Sequence, residues 1–322
     1  PGLRLGPTPG EAGTSVRPAP MASLAPTLPE ALTPTAAAQS ATHAAPGASG
    51  GDIQAREFAW TQADFSRVQS LIYQRAGISL HDGKHAMVYS RLSRRLRDTG
   101  HQSFRDYLGW LETHDGGEWQ EFINALTTNL TSFFREHHHF DILADHLKSN
   151  PANTAWRVWC NAASTGEEPY SLVMTAMDAL GPNANFKLWA SDIDSKVLAT
   201  AERGVYRLEG LKGIDAARMQ RFFLRGKGAN EGMLRVKPEL QRMVEFLSVN
   251  LIRDDWPFRE QFDVVFCRNV MIYFDSPTQR SVLQKIHRVM KPGGLLFVGH
   301  SENFNESRDL FVLRGKTVYE RR

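Results

Sequence analysis

One stretch of the chain has residue types and spacing that could hold a charged small molecule: Trp156–Ser171, WRVWCNAASTGEEPYS. Its first five residues form an apolar run that predicts a short buried strand. Ala162, Ala163, Ser164, Thr165 and Gly166 follow, small enough for a ligand to lie against the backbone, and Pro169 suits the first turn of a helix carrying Ser171, Leu172, Met174 and Met177. Strand, small-residue loop and helix open a nucleotide-binding α/β fold. The loop has neither the G-x-G-x-x-G of a dinucleotide site nor the G-K-[ST] of a phosphate loop, and Glu167 and Glu168 would repel a pyrophosphate. A ligand without phosphates and with a positive centre fits better, which points to S-adenosylmethionine, a sulfonium with an ammonium group.

A second chemical position follows one βαβ unit later. The apolar run Phe186–Ala190 ends in Ser191-Asp192-Ile193-Asp194, and an acidic residue at the end of a second strand can accept hydrogen bonds from both ribose hydroxyls. Asp194 is placed to cap the next helix, leaving Asp192 for the ribose.

The elements that must position these groups fall into two domains. Residues 1–51 are rich in Pro, Ala, Gly, Ser and Thr and cannot bury enough apolar surface to offset their ordering entropy, so a disordered tail is expected. From 52 to 128 the periodicity is helical: Thr61 and Asp64 form a capping pair before Phe65, Val68, Leu71 and Ile72, a helix from Lys84 to Asp98 follows, and Ser103 caps a third. Residues 129–322 read as an α/β domain in which five apolar strands alternate with helices before a terminal antiparallel hairpin. That is the seven-stranded, mostly parallel Rossmann-like sheet of class I methyltransferases. Glycines 226, 228 and 232 bound apolar runs that predict a small antiparallel β insertion at about 220–243.

Bulk properties narrow the classes further. The net charge of +3 is too small to imply nucleic acid without a local cluster. Two cysteines, Cys160 and Cys267, give no disulfide framework and suit a reducing cytoplasm, and no apolar run approaches the ~20 residues of a membrane span. His137, His138 and His139 are consecutive, so on a helix they point about 100° apart and cannot all ligate one ion; no metal is expected. Arg91, Arg94 and Arg95 gather on one side of the second helix, a solvated surface or a docking face for an acidic partner.

Five motifs in order, NLTSFFRE from Asn129, ASTGEEPYS from Ala163, ASDID from Ala190, FCRNVMIYF from Phe266 and KPGGLLFVGHSENF from Lys291, resemble the chemotaxis receptor methyltransferase (CheR) family from about Asp64 to Tyr319. The resemblance implies a cytoplasmic protein-glutamate O-methyltransferase that uses S-adenosylmethionine, releases S-adenosylhomocysteine and esterifies glutamates on the cytoplasmic helical domain of chemoreceptors. It implies a monomer recruited to receptor arrays. By motif, Asn129, Thr131 and Arg135 would line the cofactor and methyl-transfer site, with Ala163 in the same small-residue loop. Glu167 would contact the methionine or ribose end, Asp192 the ribose, Asn250 and Leu251 the adenine, and Cys267, Arg268 and Asn269 the floor. Arg135 and Tyr273 would flank the transferred methyl. Arg91, Arg94 and Arg95 match a receptor-facing helix, and the insertion around Gly226, Gly228 and Gly232 resembles one that adds a receptor C-terminal peptide as an extra strand. The first alternative is a methyltransferase acting on nucleic acid or on another protein, drawn in by the basic helix; it fits less well, because the fourth-strand exit Cys267-Arg268-Asn269-Val270 lacks the N-P-P-[YF] that positions a base amine. A binding module without catalysis is disfavoured because every expected site position holds the expected residue type.

Overall fold

The computed structural model describes residues 56–114, 116–151 and 154–322. The tail expected at 1–51 lies outside the described residues.

The helical part opens with α1 (Gln62–Ala76), α2 (His85–Thr99), α3 (Phe104–Thr113) and α4 (Glu118–Leu126). The expected capping pair forms a complete box, with Thr61 and Asp64 each accepting from the other's backbone, and Ser103 accepts from Asp106 N–H at the start of α3. Periodic apolar positions converge in one cluster that includes Phe65, Val88, Leu92, Leu96, Leu108 and Phe122. This is the amphipathic logic of a small helical bundle, each helix burying one stripe.

The α/β part runs through α5 (His138–Lys148), β1 (Trp156–Cys160), α6 (Glu167–Leu180), β2 (Phe186–Asp192), α7 (Ser195–Arg203), β3 (Val205–Arg207), α8 (Ala216–Phe222), β4 (Phe223–Arg225), β5 (Met233–Val236), α9 (Pro238–Gln241), β6 (Val244–Ser248), β7 (Phe262–Cys267), α10 (Ser276–Val289), β8 (Met290–Val298), β9 (Phe311–Gly315) and β10 (Val318–Arg321). The main sheet has the order β6-β2-β1-β7-β8-β10-β9, with β10 antiparallel to both its neighbours and the other pairings parallel. Registers align Leu188 with Val158, Val158 with Val264 and Val264 with Leu295, an apolar row across four strands. Alternation then sorts the two faces: Val158, Val264 and Leu295 enter the core beneath α5 and α6, while Trp159, Val265 and Leu296 enter the core with Val282 and Ile286 of α10. The sheet's strands are therefore covered on both sides, as a parallel sheet requires.

The insertion is a three-stranded antiparallel sheet of order β3-β5-β4. It begins earlier than the expected 220, because Val205–Arg207 pairs with Met233–Arg235. Its first strand is three residues long, below the length at which alternation is readable in sequence. Gly226, Gly228 and Gly232 sit in the connection from β4 to β5.

The helical bundle is tied to the α/β part by long-range bonds. Tyr73 donates to Asp275 (2.9 Å), Asn250 donates to the Arg75 carbonyl (2.7 Å), and Gln120 donates to the Ile193 carbonyl (2.8 Å).

Candidate active site

Strand order reverses between β1 and β7, so the connections leaving their carboxyl ends diverge and open a cleft. A cavity of about 330 Å³ lies there. Three α/β segments and one helical segment build its walls.

The first wall is the β1–α6 loop. Ser164 and Gly166 both adopt the left-handed conformation (φ 48° and 98°), and the Ala163 N–H donates to the Ser191 carbonyl (2.8 Å). The backbone thus curls back toward β2, where Ser164 N–H reaches the Asp192 carboxylate at 2.8 Å. Asp192 also accepts from Asp194 N–H (3.0 Å), and burial pushes its pKa up to about 6. Asp194 caps α7 through Lys196 N–H and Val197 N–H, as expected of it from the sequence.

The second wall is the segment 127–136. Asn129 donates to Asp194 (2.8 Å) and its carbonyl accepts from the Ser164 hydroxyl (3.2 Å), so this segment is pinned to the first wall. Arg135 donates to the Leu130 carbonyl at 2.8 Å, closing a small loop that leaves Leu130 exposed. The third wall is the exit of β7, from Arg268 to Phe274. The fourth comes from the helical bundle: Ile78, Ser79, Leu80 and Met87 cover the cleft.

Of the site residues expected from sequence, Asn129, Thr131, Arg135, Asp192, Asn250, Leu251, Arg268, Asn269 and Tyr273 line this cavity; Ala163, Glu167 and Cys267 do not. Ala163 packs with Ala190 and Leu198, one layer behind the lining. Glu167 accepts from the Thr165 hydroxyl (2.6 Å), and Glu168 lines the cavity instead. The two are about 100° apart on the helix, so only one can face the cleft, and sequence spacing does not say which. Cys267 points into the α10-side core with Trp159, and burial pushes its thiol pKa up. Asn250 is committed to Arg75 and to Ile252 N–H (3.2 Å), which fixes the cleft's edge.

Beneath the floor lies a buried charge network. Arg268 donates to the Arg135 carbonyl (2.6 Å), pairs with Glu168 (3.0 Å) and lies 3.6 Å from Glu136. Glu136, His138 and His139 bring donor atoms within 4.8 Å of one another, two of the three consecutive histidines joined by an acid from the preceding turn. Glu136 is already engaged by Arg268 and by His300 (3.2 Å), so its charge serves that network.

The residues that sequence reasoning missed are Asn161, Glu168 and the apolar cover from the bundle. The side-chain nitrogen and oxygen of Asn161 are both buried without a hydrogen-bond partner, at the carboxyl end of β1. An amide lining a cavity can offer a ligand both a donor and an acceptor. Glu168 and Asp192 supply negative charge, Asn161 a donor and an acceptor, and Ile78, Leu80 and Met87 an apolar cover. This set fits a cationic amino-acid nucleoside and contains no phosphate cradle.

The reversed β10, the sheet order and the two carboxylates, Glu168 and Asp192, that line the cleft after β1 and at the end of β2 define a class I methyltransferase that binds S-adenosylmethionine. Residues 129–319 match the family described as "CheR methyltransferase, SAM binding domain", and residues 63–127 match "CheR methyltransferase, all-alpha domain". The chain belongs to the CheR methyltransferase family. It is 56% identical over 262 residues to the chemotaxis protein methyltransferase of Klebsiella aerogenes, covering 80% of this chain and 89% of that one. To the Escherichia coli protein of the same description it is 52% identical, covering 81% and 91%, and to chemotaxis protein methyltransferase 2 of Pseudomonas aeruginosa 49%, covering 82% and 95%.

The two regions expected to meet a partner look different in detail. Arg91 donates to the Thr127 carbonyl (2.6 Å), and Arg95 is bound to Glu118 (2.9 and 2.5 Å), whose carboxylate also accepts from Tyr107. Arg94 is 80% exposed and makes only a long ion pair to Asp98 one turn on (3.9 Å). In the insertion, β3 and β4 are both edge strands flanking β5. No helix among the described residues is long and apolar enough to cross a membrane.

Proposed function

We propose that this methyltransferase esterifies glutamate side chains on the cytoplasmic helical domain of chemoreceptors, working in the cytoplasm as a monomer. The observation that carries the reading is the pair Arg135 and Tyr273 on one cavity wall and the next. Arg135 is a cation, and Tyr273 carries a phenol hydroxyl that makes only a long bond, to the Thr128 carbonyl (3.4 Å). A cation and a phenol recognise a carboxylate. They would be a poor choice for activating an amine, which must lose a proton.

A glutamate carboxylate is already a nucleophile at neutral pH, given its ordinary pKa near ~4.3, so the reaction needs no general base. Bound S-adenosylmethionine supplies an electrophilic methyl on a positive sulfur. The carboxylate oxygen forms the new bond to carbon, the carbon–sulfur bond breaks, and its electrons neutralise the sulfonium, leaving S-adenosylhomocysteine and a methyl ester with no proton moved. Charge is lost in the transition state, so the covered cleft favours it. Arg135 orients the carboxylate; gripping it tightly would stabilise the ground state more than the transition state. Alignment of this kind can supply roughly 7–11 kcal/mol.

Cofactor contacts follow the same reading: Asp192 accepts from the ribose hydroxyls, Asn161 and Glu168 meet the methionine end, and Asn250 and Leu251 border the adenine. Arg94 leads the receptor-facing helix, and an edge of the small sheet takes a receptor C-terminal peptide as an added strand.

The test is to incubate the protein with methyl-labelled S-adenosylmethionine and receptor-bearing membranes, then treat the labelled receptor with mild base. Label released as methanol supports glutamate esters. Label that survives base points to nitrogen methylation and rejects the proposal.

A further inference from the structure

The sequence HSENF closes the last of the five motifs, yet none of its residues touches the cavity. Its glutamate is nevertheless among the best-connected acids in the protein. Glu302 is 5% exposed, and its carboxylate accepts from three backbone N–H groups: Asn269 (2.9 Å), Met271 (2.8 Å) and Gly299 (2.6 Å). Two of these lie in the β7 exit that carries Asn269 and Tyr273.

That exit is not held by regular structure. Asn269 adopts the left-handed conformation (φ 58°), and Met271–Tyr273 is a single 3-10 turn. A non-glycine residue at positive φ persists only where its surroundings hold it. On the far side Gln279 donates to the Met271 and Phe274 carbonyls (2.9 and 3.0 Å), so the turn is gripped at its carbonyls by α10 and at its N–H groups by Glu302. Gly299 completes the fit by being small: a Cβ there would lie 2.9 Å from the Glu302 Oε2 and 3.1 Å from the Asn269 Cγ.

We infer that Glu302 is a positioning residue for methyl transfer, fixing the Tyr273 hydroxyl through the backbone of its turn. This rests on the role proposed above for Tyr273. The chemistry of the side chain is specific. Oε2 serves Asn269 and Gly299 while Oε1 serves Met271, so both oxygens must be acceptors. A glutamine can keep its oxygen on the first two donors only by turning its NH2 group toward the Met271 N–H. Donor would face donor, and the bond lost is the one at the start of the turn that bears Tyr273.

The experiment is a double-mutant cycle on the full chain, using S-adenosylmethionine and receptor-bearing membranes. Glu302→Gln lowers kcat about 10–100-fold, the scale of a ~1 Å misplacement, with the KM for S-adenosylmethionine little changed. In a Tyr273→Phe background the same substitution costs less than about threefold, because the group it positions is gone. A structural role alone would lower folded protein equally in both backgrounds, and melting curves of all four proteins read that contribution. Gly299→Ala, which pushes on the same clamp from outside, gives the same pattern if Glu302→Gln folds poorly. Equal losses in the two backgrounds, or an unchanged kcat in Glu302→Gln, overturn the inference while leaving Tyr273 its role. An unchanged kcat in Tyr273→Phe itself removes both.

Discussion

Arg268 donates to the Arg135 carbonyl at 2.6 Å from a side chain with no solvent exposure, so the exit of the fourth strand of the sheet holds the segment that carries Arg135. The same guanidinium pairs with Glu168 at 3.0 Å. Removing one partner of a buried ion pair leaves an uncompensated charge, which costs roughly 3–5 kcal/mol. Arg268→Ala is therefore expected to be strongly destabilised in urea unfolding. Arg268→Lys should recover little, since an ammonium on a shorter stem cannot serve both the carbonyl and the carboxylate.

Arg135 itself makes one internal bond, to the Leu130 carbonyl, and otherwise faces the cavity. Arg135→Ala should lower kcat on receptor substrate by about 100-fold, the scale of lost orientation, and change S-adenosylmethionine affinity much less. Single-turnover rates and calorimetric titration separate the two. A loss confined to affinity contradicts the orienting role.

Asp192 gives a pH dependence whose sign differs between stability and binding. Its folded pKa, about 6, lies above the ordinary value near ~3.9. The folded state holds the proton more tightly, so this group's stabilising contribution is full below the unfolded pKa and is lost as pH rises through about 6. Cofactor binding runs the other way, because the ionised carboxylate is the better acceptor for ribose hydroxyls. Affinity for S-adenosylmethionine should weaken as pH falls from 7 to 5, and Asp192→Asn should bind about 5–10-fold more weakly with that slope flattened.

The two neighbouring arginines of α2 should separate stability from docking. Arg95→Ala leaves the half-buried Glu118 carboxylate with Tyr107 but without its cation and is expected to cost about 2 kcal/mol. Arg94→Gln gives up only the exposed, 3.9 Å pair with Asp98 and should stay within about 0.5 kcal/mol of the parent in stability. Its expected effect is a raised KM for receptor membranes, steepest at low ionic strength.

Gly166 sits at φ 98°, and a Cβ there would meet the Tyr206 hydroxyl at 2.6 Å and the Ala201 Cβ at 2.9 Å. Tyr206 donates to the Thr165 carbonyl (2.8 Å), so the first strand of the small sheet rests on the cofactor loop. Gly166→Ala should cost more than about 1 kcal/mol and weaken cofactor binding together with stability. Thermal melts with and without S-adenosylmethionine would show both losses.

Much of the architecture was written locally. The capping box at Thr61, the Ser103 cap, and the runs that became β1, β2, β7 and β8 carry their own periodicity and end signals, so they are legible one segment at a time. Asp192 and Arg135 were legible for the same reason: strand ends and ordered motifs fix where a side chain falls along the chain. What a linear reading could not supply is direction and enclosure. Whether Glu167 or Glu168 faces the cleft depends on the rotation of α6, and Arg95 became a structural partner because α4 brings Glu118 to it. The three-residue β3 became a strand only through its pairing with β5. Ile78, Leu80 and Met87 cover the cleft because the bundle folds over it, and Glu302 reaches Asn269 and Met271 from 33 and 31 residues away. Sequence determines which side chains are available and where elements begin and end; only tertiary packing decides which of them share a desolvated space, and the chemistry depends on that space.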